Sequence, residues 1–353
     1  MEKRFQWGIV GTGGIARHFA GDLALLPEAA LAGICSRNLE KAKAFQAEFG
    51  AARAYADLDA MAGDPGIDAI YIATPNTAHA DQALQVIAHG KPVLVEKPLA
   101  TSVADAERIA SAAANRSCFA MEGMWTRFLP AVRAAKRLIG DGAIGTITRI
   151  EADLSYYHDE DLDDRFFNAA LGGGSALDLG VYPLSLTLHL LGKPQETSGR
   201  WYASKSGVDV RSEFDLQFAG AQAHLSCGFD RDGANQFVIH GSKAVLRLEA
   251  PFLKAQKLVR FSPGLFAVMP KGGRVVAKII SRLPLPGLQV ERFPFAGNGL
   301  QFEAAAVMEA VRQGATQTDI MPLTDSIKAL RIIEVVLATK PQPAPLRKIQ
   351  NVL

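Results

Sequence analysis

The chain has 353 residues, 48% hydrophobic and 21% charged, with 38 basic against 36 acidic side chains and a formal charge of +2. Intrinsic disorder is excluded by that composition, and at roughly 100–200 residues per domain the length favours two domains. The near-neutral balance removes the electrostatic drive on which nucleic-acid binding rests. Cys35, Cys118 and Cys227 are too few and too far apart for a disulfide framework or a metal knuckle, so buried thiols in a reducing, cytoplasmic compartment are expected. No apolar run approaches the roughly 18 residues of a membrane-spanning helix, and the first residues run into a strand without the apolar core of a leader.

In chain order, short apolar strands are expected at 5–10, 31–35, 69–73, 93–95 and 118–121. Helices at 15–26, 39–49, 78–88 and 103–114 alternate with them. That alternation predicts a doubly wound parallel sheet of Rossmann type. From Gly145 onward the texture changes to two-residue alternation, as in 213–218 and 222–227, with turns at Gly220, Gly233 and Gly241. Two helices near 299–312 and 324–338 precede a proline-rich tail. The expected organisation is α/β: a Rossmann domain over 1–122, an α+β domain with a large, mainly antiparallel open sheet over 123–340, and a tail over 341–353. Between 250 and 290 lie Lys254, Lys257, Arg260, Lys271, Arg274, Lys278 and Arg282 without one acidic residue. Residues 273–283 there read as a short amphipathic helix that docks on its own domain or a partner subunit rather than on an anionic membrane.

Gly11-Thr12-Gly13-Gly14-Ile15-Ala16 sets a G-x-G-x-x-A fingerprint between the first strand and the first helix. Gly11 permits the tight turn, Gly13 lets a pyrophosphate approach the backbone, and Ala16 lets helix pack on strand, while the helix N-terminus offers amide donors to phosphate. About 20 residues on, where a carboxylate would hold the ribose hydroxyls of NAD, the chain carries Ser36-Arg37-Asn38. A hydroxyl and a guanidinium fork suit a 2′-phosphate, so NADP is expected over NAD. In the plainer alternative, Asn38 only caps the next helix and Arg37 is solvated.

These motifs, with Ala73-Thr74-Pro75-Asn76, His79 and Glu96-Lys97-Pro98, resemble the glucose-fructose oxidoreductase, inositol dehydrogenase and MocA family. Glu122 to Pro130, Leu171 to Pro183 with its Gly172-Gly173-Gly174 turn, and Gly297 to Glu303 are similar to its branch of dimeric dihydrodiol and NADP-dependent D-xylose dehydrogenases. The resemblance implies a nicotinamide site built from Gly11, Thr12, Gly13, Gly14, Ile15, Ala16, Ser36, Arg37 and Lys41. It adds Ala73, Thr74, Pro75, Asn76, His79, Glu96, Lys97, Trp125, Arg127 and Gln301 to that site. It also implies that Lys97, at the carboxyl edge of the sheet, polarises or helps deprotonate the reacting oxygen, and that the Lys97–Pro98 bond is cis. Asp178 and Tyr182, four residues apart, fall on one helical face and reach one substrate, with Tyr182 as acid or base beside Lys97 and Asp178 orienting the hydroxyl. Two departures, Asn76 where the dihydrodiol enzymes have histidine and Leu154 where they have an aromatic, weaken an aromatic-diol assignment.

The expected activity is hydride transfer between a secondary alcohol of a sugar, polyol or cyclic diol and an exchanging NADP. A non-catalytic sensor of the same fold is the competing expectation, and Lys97 and Tyr182 favour the enzyme. His158 and the acidic residues from Asp159 to Asp164 read as solvated surface, and His189 and His240 lack metal-ligand spacing, so no metal is expected. A homodimer through the open face of the second sheet is expected, because helices on one side leave the other free for a second copy.

Overall fold

The computed structural model describes residues 3–268 and 285–343. The chain divides into two compact units: Met1–Leu129 with Phe295–Leu330, and Pro130–Pro294 with Arg331–Leu353.

Unit 1 runs β1 (Phe5–Val10), α1 (Gly14–Leu23), β2 (Ala29–Cys35), α2 (Leu39–Phe49), β3 (Arg53–Tyr55), α3 (Leu58–Ala62), β4 (Ala69–Ile72), α4 (His79–Ala88), β5 (Val93–Glu96), α5 (Val103–Asn115) and β6 (Ala120–Gly123). The strands pair in the order β3-β2-β1-β4-β5-β6, every pair parallel, which is the doubly wound order predicted by the alternation. β4, β5 and β6 are buried on both faces, as strands covered by helices on each side must be. Side chains start the helices where the sequence offers them: Asn38 accepts from the Glu40 and Lys41 amides, and Asp57 from those of Asp59 and Ala60. An aromatic series clamps α1 onto the sheet, with Trp7 edge-on to Phe19 at 5.3 Å and Phe19 stacked on Tyr71 at 3.8 Å.

Unit 2 contains α6 (Pro130–Gly140), β7 (Ile147–Ser155), α7 (Val181–Leu191), β8 (Glu196–Ala203), β9 (Asp209–Phe218), β10 (Ala221–Gly228), β11 (Phe237–Gly241), β12 (Val245–Leu248), β13 (Lys257–Phe261), α8 (Pro263–Val268) and β14 (Leu288–Arg292). These strands form an eight-stranded sheet, β14-β13-β12-β11-β7-β10-β9-β8, antiparallel except for the parallel β7/β10 pair. The two-residue alternation has its cause here. In β9 and β10 Phe214, Leu216, Ala223 and Leu225 are buried, while Asp215, Gln217, Gln222 and His224 are exposed. α7, buried from Val181 through Leu188, packs against β7 and β10.

Two helices follow, α9 (Leu300–Arg312) in unit 1 and α10 (Leu323–Leu337), which starts in unit 1 and ends in unit 2. The linear division at 122/123 is therefore corrected: the segment Phe295–Leu330 returns to the first unit. The physical reason is a buried anchor, since the Asp22 carboxylate of α1 accepts from the Asn298, Gly299 and Leu300 amides at 2.8–2.9 Å. The basic stretch after residue 250 supplies β13 and β14, which extend the sheet edge; the helix expected at 273–283 lies outside the described residues.

Candidate active site

The fingerprint turn leaves β1 and enters α1. A Cβ at Gly11, where φ is +107°, would stand 2.5 Å from the Ala73 carbonyl oxygen, so only glycine fits where the β1 and β4 ends approach. At Gly13 and Gly14 a Cβ would meet nothing within 4 Å, so the turn fronts open space at the N-terminus of α1. Gly13 is the N-cap and has no side chain with which to engage the first helical amides. Ala16 is fully buried behind the turn, whereas Thr12 and Ile15 are half-buried on it.

At the end of β2 the Ser36 hydroxyl accepts from the Asn38 amide at 3.3 Å, and Asn38 caps α2. Arg37 and Lys41 are exposed and have no ion pair among the described residues, while the nearby Glu40 is taken by Lys43 at 2.9 Å. Two cations without an acidic partner among the described residues thus stand beside a hydroxyl and the N-terminus of a helix.

β4 ends in Ala73, Thr74, Pro75 and Asn76, and β5 ends in Glu96 and Lys97. His79 ties these two ends together: Nδ1 lies 2.8 Å from the Pro98 carbonyl and Nε2 2.9 Å from that of Thr74. Burial pulls its pKa below the usual imidazole range, against the two carbonyls that favour the charged ring, and the Lys97 charge acts in the same direction as burial. The Thr74 hydroxyl is held by Gln82 at 2.6 Å. Lys97 is half-buried, its bond to Pro98 is cis, and its amide donates to Glu96 Oε2 at 3.1 Å. The Tyr71 hydroxyl donates to the other oxygen of Glu96, and Glu122 Oε1 accepts from the Leu99 amide at 2.9 Å.

Trp125 opens a short 3-10 turn and is 5% exposed; a Cβ at Gly299 would lie 3.1 Å from its ring, which explains glycine there. The structure gives Arg127 and Gln301 internal partners. Arg127 is buried against Asp325 at 2.9 Å and donates to the Ile320 carbonyl at 2.8 Å. The Gln301 amide spans its own loop, from the Ala296 carbonyl at 2.7 Å to the Gly299 amide at 3.0 Å.

In unit 2, Asp178 lies in a five-residue π turn, Ala176–Gly180, that runs directly into α7, where Tyr182 is the second residue. Such turns are rare and occur often at functional sites. Arg165 donates to Asp178 Oδ1 at 3.2 Å and lies over the Phe166 ring at 4.1 Å. The glycine turn ahead of it is locked. The amides of Gly173 and Gly174 donate to the Asn168 and Phe166 carbonyls at 3.0 and 2.9 Å, and a Cβ at either glycine would collide with its surroundings. Asp209, unread in the sequence, fixes the entry to the π turn: one buried oxygen accepts from the Ser175 hydroxyl, the Ala176 amide and the Ser212 hydroxyl, each at 2.7 Å. Burial pushes its carboxyl up to about 6 against those three bonds.

Outside these clusters, His240 pairs with Glu151 at 2.8 Å, and Asp159, Glu160, Asp161 and Asp163 are exposed. All three cysteines are free, buried thiols.

Residues 5–124 match the GFO/IDH/MocA oxidoreductase family with its NAD-binding Rossmann fold, and residues 132–247 match the GFO/IDH/MocA C-terminal domain. The trans-1,2-dihydrobenzene-1,2-diol dehydrogenase of Xenopus laevis is 30% identical over 340 residues, covering 94% of this chain and 97% of that protein. This chain belongs to the GFO/IDH/MocA oxidoreductase family.

The Bos taurus dihydrodiol dehydrogenase is similar at 29% identity, over 94% of this chain and 95% of its own length. An aldose-aldose oxidoreductase from Caulobacter crescentus, solved with glycerol, is 25% identical with a TM-score of 0.80, covering 94% of this chain and 96% of that one. A 3-ketoreductase variant from Actinomadura kijaniata, solved with NADP and TDP-benzene, shares the fold at 23% identity with a TM-score of 0.80, covering 97% and 100%. As a GFO/IDH/MocA protein this is an enzyme of an NAD(P)-dependent oxidoreductase family, and the open cradle at Gly13 and Gly14 fits the dinucleotide that the family implies. Among the described residues no helix is long and apolar enough to cross a membrane.

Proposed function

We propose that this protein is an NADP-preferring dehydrogenase or reductase acting on a secondary alcohol of a sugar, polyol or cyclic diol. The observation that carries the cofactor preference is Arg37 and Lys41, exposed and without an ion pair among the described residues, at the end of β2 beside the Ser36 hydroxyl. They suit a 2′-phosphate, and no carboxylate stands where the ribose hydroxyls of NAD would be held. The pyrophosphate would lie against Gly11, Thr12, Gly13, Gly14 and Ile15. Ala73 to Asn76, the turn tied down by His79, would border the cofactor's far half together with Glu96, Lys97 and Trp125. The cofactor when bound accepts or gives a hydride at the nicotinamide; the residues of this chain manage the proton. Lys97 polarises the reacting oxygen as a cation, Tyr182 takes or returns its proton, and Asp178, held by Arg165, orients the hydroxyl. The names of the diol and aldose relatives support the substrate class. We extend the reading to an exchanging cofactor, a reducing compartment that suits the three buried thiols, and a homodimer through the open face of the unit 2 sheet.

The test is a panel of sugars, polyols and cyclic diols offered with NADP and, separately, NAD, followed by the absorbance of the reduced cofactor. Turnover with a panel member and a higher kcat/KM with NADP supports the proposal. Cofactor binding without turnover of any panel member would point to a sensor.

A further inference from the structure

Three carboxyl groups of unit 1 converge beside the Lys97 turn, withdrawn from water: Glu96 is 5% exposed, Glu122 3%, and Glu303 fully buried. Two of them hold backbone, since Glu96 accepts from the Lys97 amide and Glu122 from the Leu99 amide, on either side of Pro98. Glu303 enters from the first turn of α9 and lies over Gly123, the residue paired with Glu96 across β5 and β6. A Cβ at Gly123 would stand 3.4 Å from Glu96 Cα and 3.7 Å from Glu303 Oε1. Neither oxygen of Glu303 has a hydrogen-bond partner among the described residues.

An ionised carboxylate without a donor in a dry site is strongly disfavoured, and like charges beside it raise the cost. The groups facing this pocket are Glu96 and Lys97 from the end of β5, Glu122 from β6, Tyr71 from β4, Asp22 from α1 and Arg127 from the 3-10 turn. Lys97 offsets the charge on Glu96; Arg127, itself paired with Asp325, and then Lys97 offset that on Glu122; and the charges acting on Glu303 are all carboxylates. Two cations at the rim do not offset three ionised carboxylates in a dry pocket, which favours keeping protons on the cluster.

We propose that Glu303 is a proton-holding positioning residue, sharing protons with Glu96 and Glu122 so that the three together set the negative charge presented to Lys97. Burial agrees with this: it pushes Glu96 up to about 7, and it raises Glu303 well above the usual carboxylate range with Glu96, Glu122 and Asp22 adding to the effect. Through this pocket the charge state of Lys97 depends on a carboxyl that need not touch substrate. The link to turnover rests on the proposed role of Lys97 as the cation that polarises the reacting oxygen, but the existence of the shared protons does not.

The test reads protons rather than turnover, so it fails separately from the proposed activity. Infrared difference spectra of the full chain near neutral pH should contain a protonated, buried carboxyl C=O band that Glu303→Gln removes or shifts. In the reductively 13C-methylated protein, with Lys97 assigned by its loss in Lys97→Arg, the Lys97 titration should move down by on the order of half a unit or more in Glu303→Gln. Glu122→Gln, which keeps an oxygen for the Leu99 amide, should move it the same way and serves if Glu303→Gln does not fold. Absence of the protonated band in the unaltered protein, or a Lys97 titration that moves in neither variant, overturns the proposal.

Discussion

Lys97 and Tyr182 carry the chemistry of the proposed reaction, and each can be removed with little change of shape. Lys97→Met and Tyr182→Phe are each expected to lower kcat by roughly 100-fold or more while cofactor affinity stays within a few-fold, as for groups that act on a proton. Wild-type turnover in Tyr182→Phe would remove tyrosine from the mechanism. Arg37 is exposed, and the proposed function sets it against a different part of the cofactor. Arg37→Ala should raise the KM for NADP much more than that for NAD, and equal effects on the two would end the case for a 2′-phosphate contact. At this scale the sequence was informative where a residue type can do only one thing, as with Gly11, whose backbone admits no Cβ. It was least informative where a long polar side chain has several uses. Nothing local in the sequence separates a guanidinium facing a cofactor from one buried against Asp325, and Arg127 has the second arrangement.

The longer elements of unit 1 are legible in the sequence, whereas α6, eleven residues long, was not read there. The helices read at 39–49 and 299–312 appear as α2 and α9 within a residue of those bounds, whereas β3, three residues long, shows no alternation to detect. The π turn before α7 was equally silent, because its cause is Asp209, thirty-one residues beyond Asp178 in the chain, holding Ser175 and Ala176. The glycines at 172–174, a turn in the sequence reading, are a locked one, tied by their amides to carbonyls of the preceding loop. α9 depends on a distant residue in the same way: its first amides are capped by Asp22 from α1. Asp22→Ala leaves those buried amides unpaired and should lower stability by about 2–3 kcal/mol, read as a lower denaturation midpoint with an unchanged m-value. A midpoint within error of wild type would show that water replaces the carboxylate at no cost.

For the whole molecule, the buried carboxyls set the direction of the pH dependence. Burial raises Glu96 to about 7 and Asp209 to about 6, against roughly 4.3 and 3.9 for the same groups in an unfolded chain. A raised carboxyl contributes stability that is complete below the unfolded pKa and lost as pH climbs through the folded one. His79, depressed by burial, opposes them over part of the range. Its contribution is complete above the unfolded value of about 6.5 and is lost as pH falls from there through its folded pKa, but it is one group against several raised carboxyls. The melting temperature should therefore be higher near about pH 5.5 than near about pH 8; a steady rise across that interval would contradict it. The open face of the unit 2 sheet is polar over β8, β9 and β10, crossed by Arg200–Glu213 at 2.6 Å and His224–Asp215 at 2.7 Å, whereas over β12 and β13 Val245, Val259 and Phe261 pack against Leu265 and Phe266 of α8. A dimer through it would be salt-sensitive. Light scattering at micromolar concentration should report twice the 37.8 kDa of one chain, and a mass near one chain would reject the dimer.

The return of Phe295–Leu330 to unit 1 also bears on how the protein is made. A ribosome delivers all six strands of the parallel sheet by residue 123, yet Asp22 meets its amide partners only when residues 298–300 emerge, and Gly123 gains its cover only with Glu303. Until residue 303 has emerged, the nucleotide-binding unit is a sheet whose buried acids lack the segment that seals them. Domains generally fold as units from the N-terminus, and here the first unit is finished only after the whole unit 2 sheet has been synthesised. A nascent chain arrested before residue 295 should thus be sensitive to protease in α1, and one extended past residue 330 protected there.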